Sequence, residues 1–145
     1  MAKSTHSIII GRAEKISLPE HGIELVPAKI DTGAWRTSIW ASESVEEDGV
    51  LKYKLFGEGS DFYTGEVIET EDFQTVSVEN SFGHAEERYV VPMKIKLGTK
   101  TVTTQVTLAD RSKKWYPVLV GRKLLRNKYM VDVSLGDPLE KDYED

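Results

Sequence analysis

Residues 26–34, which read VPAKIDTGA, decide the fold of this chain. An apolar strand leads into Asp31, and Thr32 and Gly33 then form a tight turn that presents the Asp31 carboxylate to a cleft. Gly33 supplies the backbone freedom that such a turn needs. A carboxylate held in this way becomes a strong catalyst beside a second one, because two close carboxylates cannot both ionise cheaply. The sequence contains one such turn, so the second acid has to come from another copy of the chain.

A plainer interpretation of the same tripeptide also exists. Asp-Thr-Gly occurs in ordinary turns, where the aspartate only caps its own backbone. The rest of the sequence has to decide between a catalytic and a capping Asp31.

The composition limits the class of protein. The chain has 145 residues, enough for one domain with a hydrophobic core. Its net charge of −5 argues against a nucleic-acid-binding surface. The sequence has no cysteine, which excludes disulfides, thiol catalysis and cysteine-based zinc sites. The apolar run 8–10 is too short for a signal peptide, and no run reaches membrane-spanning length. We therefore expect a cytoplasmic protein.

Alternation of apolar and polar residues predicts mostly strand. Strands are expected over residues 7–11, 14–18, 51–55, 75–79, 89–97, 102–108, 117–120 and 129–133, with a hairpin around Gly98. The single helix is expected over 122–127. The acidic run 43–48 is predicted as a loop. Many short strands with one late helix predict an all-β fold, a small closed or partly closed barrel. We predict one domain over residues 1–145, with a core over 7–134 and a flexible acidic tail over 136–145.

A second informative stretch, residues 116–125, reads YPVLVGRKLL. The two stretches in this order resemble the retropepsin-like aspartic peptidases, whose protomers pair an Asp-Thr-Gly-Ala turn with a late apolar-apolar-Gly-Arg step into a helix. With residues 106–112 and Val131-Asp132, the chain is most similar to the bacterial and archaeal family often labelled as an ATP-dependent zinc protease, found alongside ATP-grasp glutamate ligases. The resemblance covers residues 7–134.

The resemblance implies a small closed retropepsin-like barrel that pairs as a homodimer. It implies that Asp31 is the catalytic carboxylate and that Thr32 locks the two turns together across the dimer axis. Gly33, followed by Ala34, would let the substrate backbone approach. Gly121 would give the turn room to pack, and Arg122 would anchor the helix to the base of the site.

One feature departs from the viral members of the family. Their counterpart of Arg122 pairs with an acid placed just after the turn, a position that is Trp35 here. We therefore expect Asp132 or Asp110 as the partner of Arg122. The flap that covers the site is predicted at the hairpin around Ser81, Phe82 and Gly83, and residues 57–65 are the alternative.

Other residues add little to the chemistry. The three histidines show no metal-ligand spacing and no phosphate-binding loop is present, so neither zinc nor ATP is expected as a cofactor. Residues 111–114, Arg-Ser-Lys-Lys, are a basic cluster that could hold a carboxylate-rich substrate or could simply be a solvated loop.

Two functions remain open. The first is an aspartic endopeptidase that hydrolyses a peptide or peptide-like amide as a homodimer with one Asp31 per chain. The family's neighbourhood implies a glutamyl-type substrate. The second is a non-catalytic module of the same fold that binds a peptide or an ATP-grasp ligase partner, because fold does not fix function.

Overall fold

The computed structural model describes residues 7–79 and 82–139, in which β-strands predominate. The strands are β1 Ile8–Ile10, β2 Ala13–Leu18, β3 Ile23–Ile30, β4 Thr37–Glu47, β5 Val50–Leu55, β6 Ile68–Thr70, β7 Gln74–Glu79, β8 Ala85–Leu97, β9 Lys100–Ala109, β10 Val118–Val120 and β11 Tyr129–Val131. The short α-helix α1 is Arg122–Leu125, and a 3-10 turn covers Pro19–His21. Within the described residues, no helix is long and apolar enough to cross a membrane.

Six strands close into a ring. The order β10-β3-β2-β8-β9-β4 is completed by the antiparallel pairing of β4 with β10. The β8–β9 hairpin turns at Gly98, as the alternation predicted, with Leu97 opposite Lys100. The inward positions of these strands bury apolar side chains such as Ile16, Val26 and Ile39. The expected all-β barrel with one short late helix is confirmed.

A separate two-stranded ribbon lies beside the barrel. β1 runs parallel to β11, with Ile9 directly opposite Met130. Both side chains are 61% exposed, so one face of this ribbon (the ribbon face) presents apolar surface to the outside. The last strand ends at Val131, earlier than predicted, because the Asp132 carboxylate accepts hydrogen bonds from the backbone and hydroxyl of Ser134 and so starts a turn.

The acidic run was wrongly predicted as a loop. Residues 43–47 belong to β4, and only Asp48 and Gly49 form the turn into β5. Lysines on β5 offset the acidic charge across the hairpin: the Lys54 ammonium lies 2.8 Å from the Glu43 carboxylate. The hydrogen bond of Lys54 to Glu43, together with the negative charge of that carboxylate, raises the pKa of Lys54.

Residues 136–139 are bonded to the barrel, and the flexible acidic tail expected over residues 136–145 stays a prediction. The amide of Asp137 donates to the carbonyl of Ala13 at 2.7 Å, and the Asp137 carboxylate lies 2.7 Å from the Lys15 ammonium. The amide of Leu139 donates to the Tyr116 hydroxyl at 2.8 Å. Residues 140–145 lie outside the described residues.

Candidate active site around the Asp31 turn

The Asp31 turn (residues 31–34) begins where β3 ends. β3 lies between β2 and β10, and the amide of Asp31 continues this pairing by donating to the carbonyl of Val120 at 2.8 Å. The Asp31 side chain is half-buried, and its Oδ1 accepts the Gly33 amide at 2.9 Å. The sheet therefore fixes the backbone of Asp31, and the turn itself fixes the orientation of the carboxylate.

Gly33 is needed in the turn for its small size and not for an unusual backbone conformation. Its φ is not among the positive values in the chain. A Cβ at this position would lie 3.2 Å from the Asp31 Oδ1, so glycine here lets the amide and the carboxylate come close.

Helix α1 packs against the C-terminal end of the Asp31 turn. The first two helical amides, those of Arg122 and Lys123, donate to the carbonyls of Ala34 and Trp35 at 2.8 and 2.9 Å. These amides have no partner inside the helix, so the turn satisfies donors that would otherwise be unpaired. The turn and the helix thereby hold each other in place.

Gly121 makes this contact possible. A Cβ at Gly121 would lie 2.5 Å from the carbonyl oxygen of Arg36, so no larger residue fits without movement of the backbone. The Gly121 amide donates to the buried hydroxyl of Thr37 at 3.1 Å. The Gly-Arg step therefore packs directly against the segment that follows the Asp31 turn.

Within residues 7–79 and 82–139, Arg122 forms no ion pair with an acid. Its Nη1 donates to the carbonyl of Thr32 at 3.0 Å, and its guanidinium lies 5.8 Å from the ring centre of Trp35. Neither expected partner bonds to it: the carboxylates of Asp132 and Asp110 each accept a hydrogen bond from a serine two residues later. Hydrogen bonding to Ser112 and Ser134 lowers the pKa of both carboxyls. A carbonyl and an aromatic ring thus replace the acid of the viral enzymes.

A groove of about 550 Å³ lies next to the turn. Thr32 and Trp35 line it on the side of the turn, and Leu125, Tyr129 and Val131 contribute apolar wall. Trp35 is 42% exposed, and Thr32 is also exposed. The groove therefore extends from the Asp31 turn to β11.

The predicted flap lies at the end of a hairpin. β7 and β8 pair from Gln74 opposite Val90 to Glu79 opposite Ala85, which we call the flap hairpin (residues 74–90). Phe82 in its connection is 83% exposed, and Gly83 has a φ of 79°. Ser81 lies outside the described residues. The alternative segment, 57–65, forms consecutive turns rather than a hairpin. The ring centres of Phe62 and Phe56 lie 5.8 Å apart.

Arg88 and Arg111 are further candidate site residues, and sequence reasoning singled out only the second of them. The basic cluster 111–114 divides in the structure: Arg111 is half-buried, and the other three residues are exposed. Burial and the positive charge of Arg88 lower the pKa of Arg111, while the Asp31 carboxylate acts in the opposite direction. Arg88, on β8, had no motif to single it out. The available signal was a positive charge in a strand whose residues otherwise alternate between polar and apolar.

With this geometry in hand, comparison with known proteins identifies the family. Residues 9–137 match the family described as RimB-like, the retropepsin-like aspartic endopeptidase RimB. The chain belongs to the RimB-like family. The resemblance found in the sequence is thereby confirmed.

Relatives of this RimB-like chain include much longer proteins. A probable alpha-L-glutamate ligase of Desulfotalea psychrophila is 27% identical over 139 residues, which is 93% of this chain and 30% of the ligase. A probable alpha-L-glutamate ligase of Shewanella pealeana is 28% identical over 143 residues, 90% of this chain and again 30% of the ligase. The chain thus spans less than a third of these relatives.

A solved structure has the same fold. The protein Lpg0085 of Legionella pneumophila, described as of unknown function, superposes with a TM-score of 0.69 at 29% identity. The match covers 90% of this chain and 97% of that one.

The donor set for a metal ion is poor. In the described part of the chain, no three His, Asp or Glu side chains come together closely enough to hold a metal ion. His21 lies 3.3 Å from the Glu66 carboxylate, away from the Asp31 turn. The expectation of a metal-free site remains a prediction.

Proposed function

We propose that this chain is an aspartic endopeptidase that hydrolyses a peptide or peptide-like amide bond as a homodimer. Asp31 of each copy is the catalytic carboxylate. The observation that carries the proposal is the Asp31 turn, in which the β3–β10 pairing and helix α1 hold one half-buried carboxylate in a fixed position. Membership of the RimB-like family supports the reaction class.

The surface around the turn supports a second copy as the missing half of the site. The exposed Thr32 and Trp35 adjoin the apolar groove, which extends to β11, and Ile9 and Met130 are exposed on the ribbon face. Exposed apolar surface of this kind is typical of protein interfaces. A two-fold axis through the turn would bring two Asp31 carboxylates together, since a symmetric dimer buries the same patch on both chains. Thr32 would then contact its counterpart, and Arg122 would hold the Thr32 carbonyl in place.

The chemistry follows from two carboxylates that share one proton. The ionised Asp31 takes a proton from water as the water oxygen bonds to the carbonyl carbon, and the protonated Asp31 gives its proton to the carbonyl oxygen. In the tetrahedral diol, one carboxyl then protonates the nitrogen as the carbon–nitrogen bond breaks, and the other takes a diol proton. The products are an acid and an amine, and the pair again holds one proton.

The substrate and partner are proposed from the relatives. Two are named as probable alpha-L-glutamate ligases, which supports a glutamyl-type peptide substrate and an ATP-grasp ligase as partner. The flap hairpin, with Ser81, Phe82 and Gly83 in its connection, would cover the bound peptide. We place this activity in the cytoplasm, where a chain without cysteine loses nothing to reducing conditions.

One observation favours the second candidate function. The Asp31 Oδ1 caps the Gly33 amide, which is what an aspartate with a purely structural role would do. The chain would then be a non-catalytic module that binds a peptide or a ligase partner in the same cleft.

The Asp31→Asn variant separates the two functions. Its amide oxygen can still accept the Gly33 hydrogen bond, so the turn and the dimer should persist, whereas peptide hydrolysis should disappear because no base remains. Asp31→Ala is the matched variant, which also loses the cap at a cost of about 1 kcal/mol in the free energy of unfolding. Peptide hydrolysis and urea unfolding would be measured on all three proteins. A fully active Asp31→Asn protein would exclude the aspartic-peptidase mechanism.

Sedimentation equilibrium on the same proteins tests the dimer. A stable pair should bury roughly 1,600 Å² of surface and persist at micromolar concentration. If only the monomer sediments, with or without peptide, the non-catalytic module becomes the better assignment.

A further inference from the structure

Two arginines lie at one end of the neighbouring strands β8 and β9, and the charge of Asp31 acts on one of them, Arg111. Arg88 lies in β8 at the base of the flap hairpin, two residues before Val90, which pairs with Thr107. Arg111 follows the end of β9 by two residues. Both therefore lie at the same end of the β8–β9 ladder.

The backbone holds the Arg111 guanidinium in one orientation. Its Nε donates to the carbonyl of Tyr116 at 2.9 Å. Within residues 7–79 and 82–139, its two terminal nitrogens donate no hydrogen bond and form no ion pair. A guanidinium fixed through Nε presents its remaining donors as a planar fork, which matches a carboxylate.

Arg88 carries a buried donor without a partner. Its Nε has almost no solvent-accessible surface and no hydrogen bond among the described residues. Its Nη2 lies 3.4 Å from the carboxylate of Glu86, a long contact to a side chain that is 58% exposed. Buried donors in proteins nearly always have an acceptor, so an acceptor for this one is expected from a bound molecule.

Arg88 and Asp31 both act on the charge of Arg111. Burial and the positive charge of Arg88 lower the pKa of Arg111, and the negative charge of Asp31 acts in the opposite direction. Among the described residues no ion pair joins Asp31 to either arginine, although both arginines are half-buried. Two neighbouring half-buried cations favour an anion between them.

We propose that Arg88 and Arg111 bind a carboxylate of the substrate beside the scissile bond and so determine its specificity. The carboxylate belongs either to an acidic side chain or to a free C-terminus. This inference rests on the proposed function, since it assigns a specificity pair to the Asp31 site.

The test compares Arg88→Gln, Arg111→Gln and the double variant with the parent. Lys96→Gln, which removes an exposed positive charge from the same strand, is the matched control. The substrates are alanine hexapeptides with one Glu or one Gln on either side of the central bond, each as the free acid and as the C-terminal amide. Each arginine variant should lose about 10- to 100-fold in kcat/KM on the carboxylate substrates, mainly through KM. The uncharged substrates and the Lys96→Gln protein should change little.

The pattern of losses identifies the source of the carboxylate. A loss confined to Glu peptides assigns the pair to a side chain, and a loss confined to free acids assigns it to a C-terminus. An equal loss on charged and uncharged peptides would overturn the proposal, because the arginines would then only offset the charge of Asp31. No loss on any peptide would overturn it as well.

A binding measurement separates this inference from the proposed hydrolysis. In the Asp31→Asn background, titration calorimetry with the same hexapeptides needs no catalysis. Tighter binding of carboxylate peptides that disappears with Arg111→Gln, and is partly kept in Arg111→Lys, supports the pair even if no peptide is ever cleaved. Equal binding of charged and uncharged peptides, or none at millimolar concentration, contradicts it.

Discussion

The Asp31 turn and the flap hairpin differ in how the chain holds them. The Asp31 amide donates a backbone hydrogen bond to β10, the carbonyls of Ala34 and Trp35 accept the first two amides of α1, and Gly121 packs against the exit of the turn. The flap hairpin depends on its own ladder, because within the described residues β7 pairs only with β8. No residue of β7 is buried, and Phe82 is 83% exposed.

This difference fits the two tasks that we propose for them. A catalytic carboxylate has to stay in one geometry, which requires support from several segments. A cover has to open for the substrate, and segments with few buried contacts open at low cost in free energy. The chain therefore concentrates its backbone support where the chemistry is proposed to occur.

The largest expected effect comes from glycine substitutions that compare the two regions. Gly121→Ala places a Cβ 2.5 Å from the backbone carbonyl of Arg36 and should lower the free energy of unfolding by about 3 kcal/mol. Gly83→Ala in the flap hairpin meets no close atom and loses only through its φ of 79°, about 1 kcal/mol. Urea unfolding of the two variants measures both values.

The same two variants sharpen the functional side of the comparison. Gly83→Ala should keep the dimer and change peptide KM more than stability, whereas Gly121→Ala should impair stability and hydrolysis together. Equal destabilisation by both substitutions would contradict the view that the turn is held more firmly than the hairpin.

A smaller effect is expected from the hydrogen bond behind the turn. Thr37→Val keeps the shape of the side chain but removes the acceptor of the buried Gly121 amide, at a cost of about 1–3 kcal/mol. Thr107→Val is the matched control, since Thr107 is a second buried threonine and lies in β9. If the two variants unfold at the same urea concentration, the Gly121–Thr37 bond contributes nothing to the support of the turn.

The sequence predicted well the parts that local patterns determine. Alternation located both strands of the β8–β9 hairpin and its turn at Gly98. The Asp-Thr-Gly-Ala and Gly-Arg motifs lie in contact, although they are far apart in the chain, because the motifs encode backbone geometry that few residues tolerate. Family membership could therefore be inferred from two short stretches.

Contacts chosen among several possible partners could not be predicted. Arg122 had two acidic candidates in sequence, yet it bonds to a carbonyl, and Asp110 and Asp132 bond to neighbouring serines. The acidic run belongs to β4, where Glu43 pairs with Lys54 of β5, a contact that depends on register. Arg88 and Arg111 lie at the same end of the β8–β9 ladder, and this neighbourhood depends on strand register, which no local pattern records.

The smallest expected effect is that of a chelator, and it tests whether the Asp31 turn acts through carboxylates alone. The sequence has three histidines without metal-ligand spacing, and the described residues bring no three acidic or histidine side chains together. Two carboxylates that share a proton can activate water without a Lewis acid. We therefore expect kcat/KM to be unchanged after dialysis against EDTA, with a zinc peptidase as the positive control for chelation.

If activity is lost and zinc restores it, the metal-free mechanism is wrong, and the ligands would have to come from two copies of the chain or from residues outside the described ranges. The Asp31→Asn protein serves as the second control, because any activity that it retains and EDTA removes belongs to a contaminating metallopeptidase.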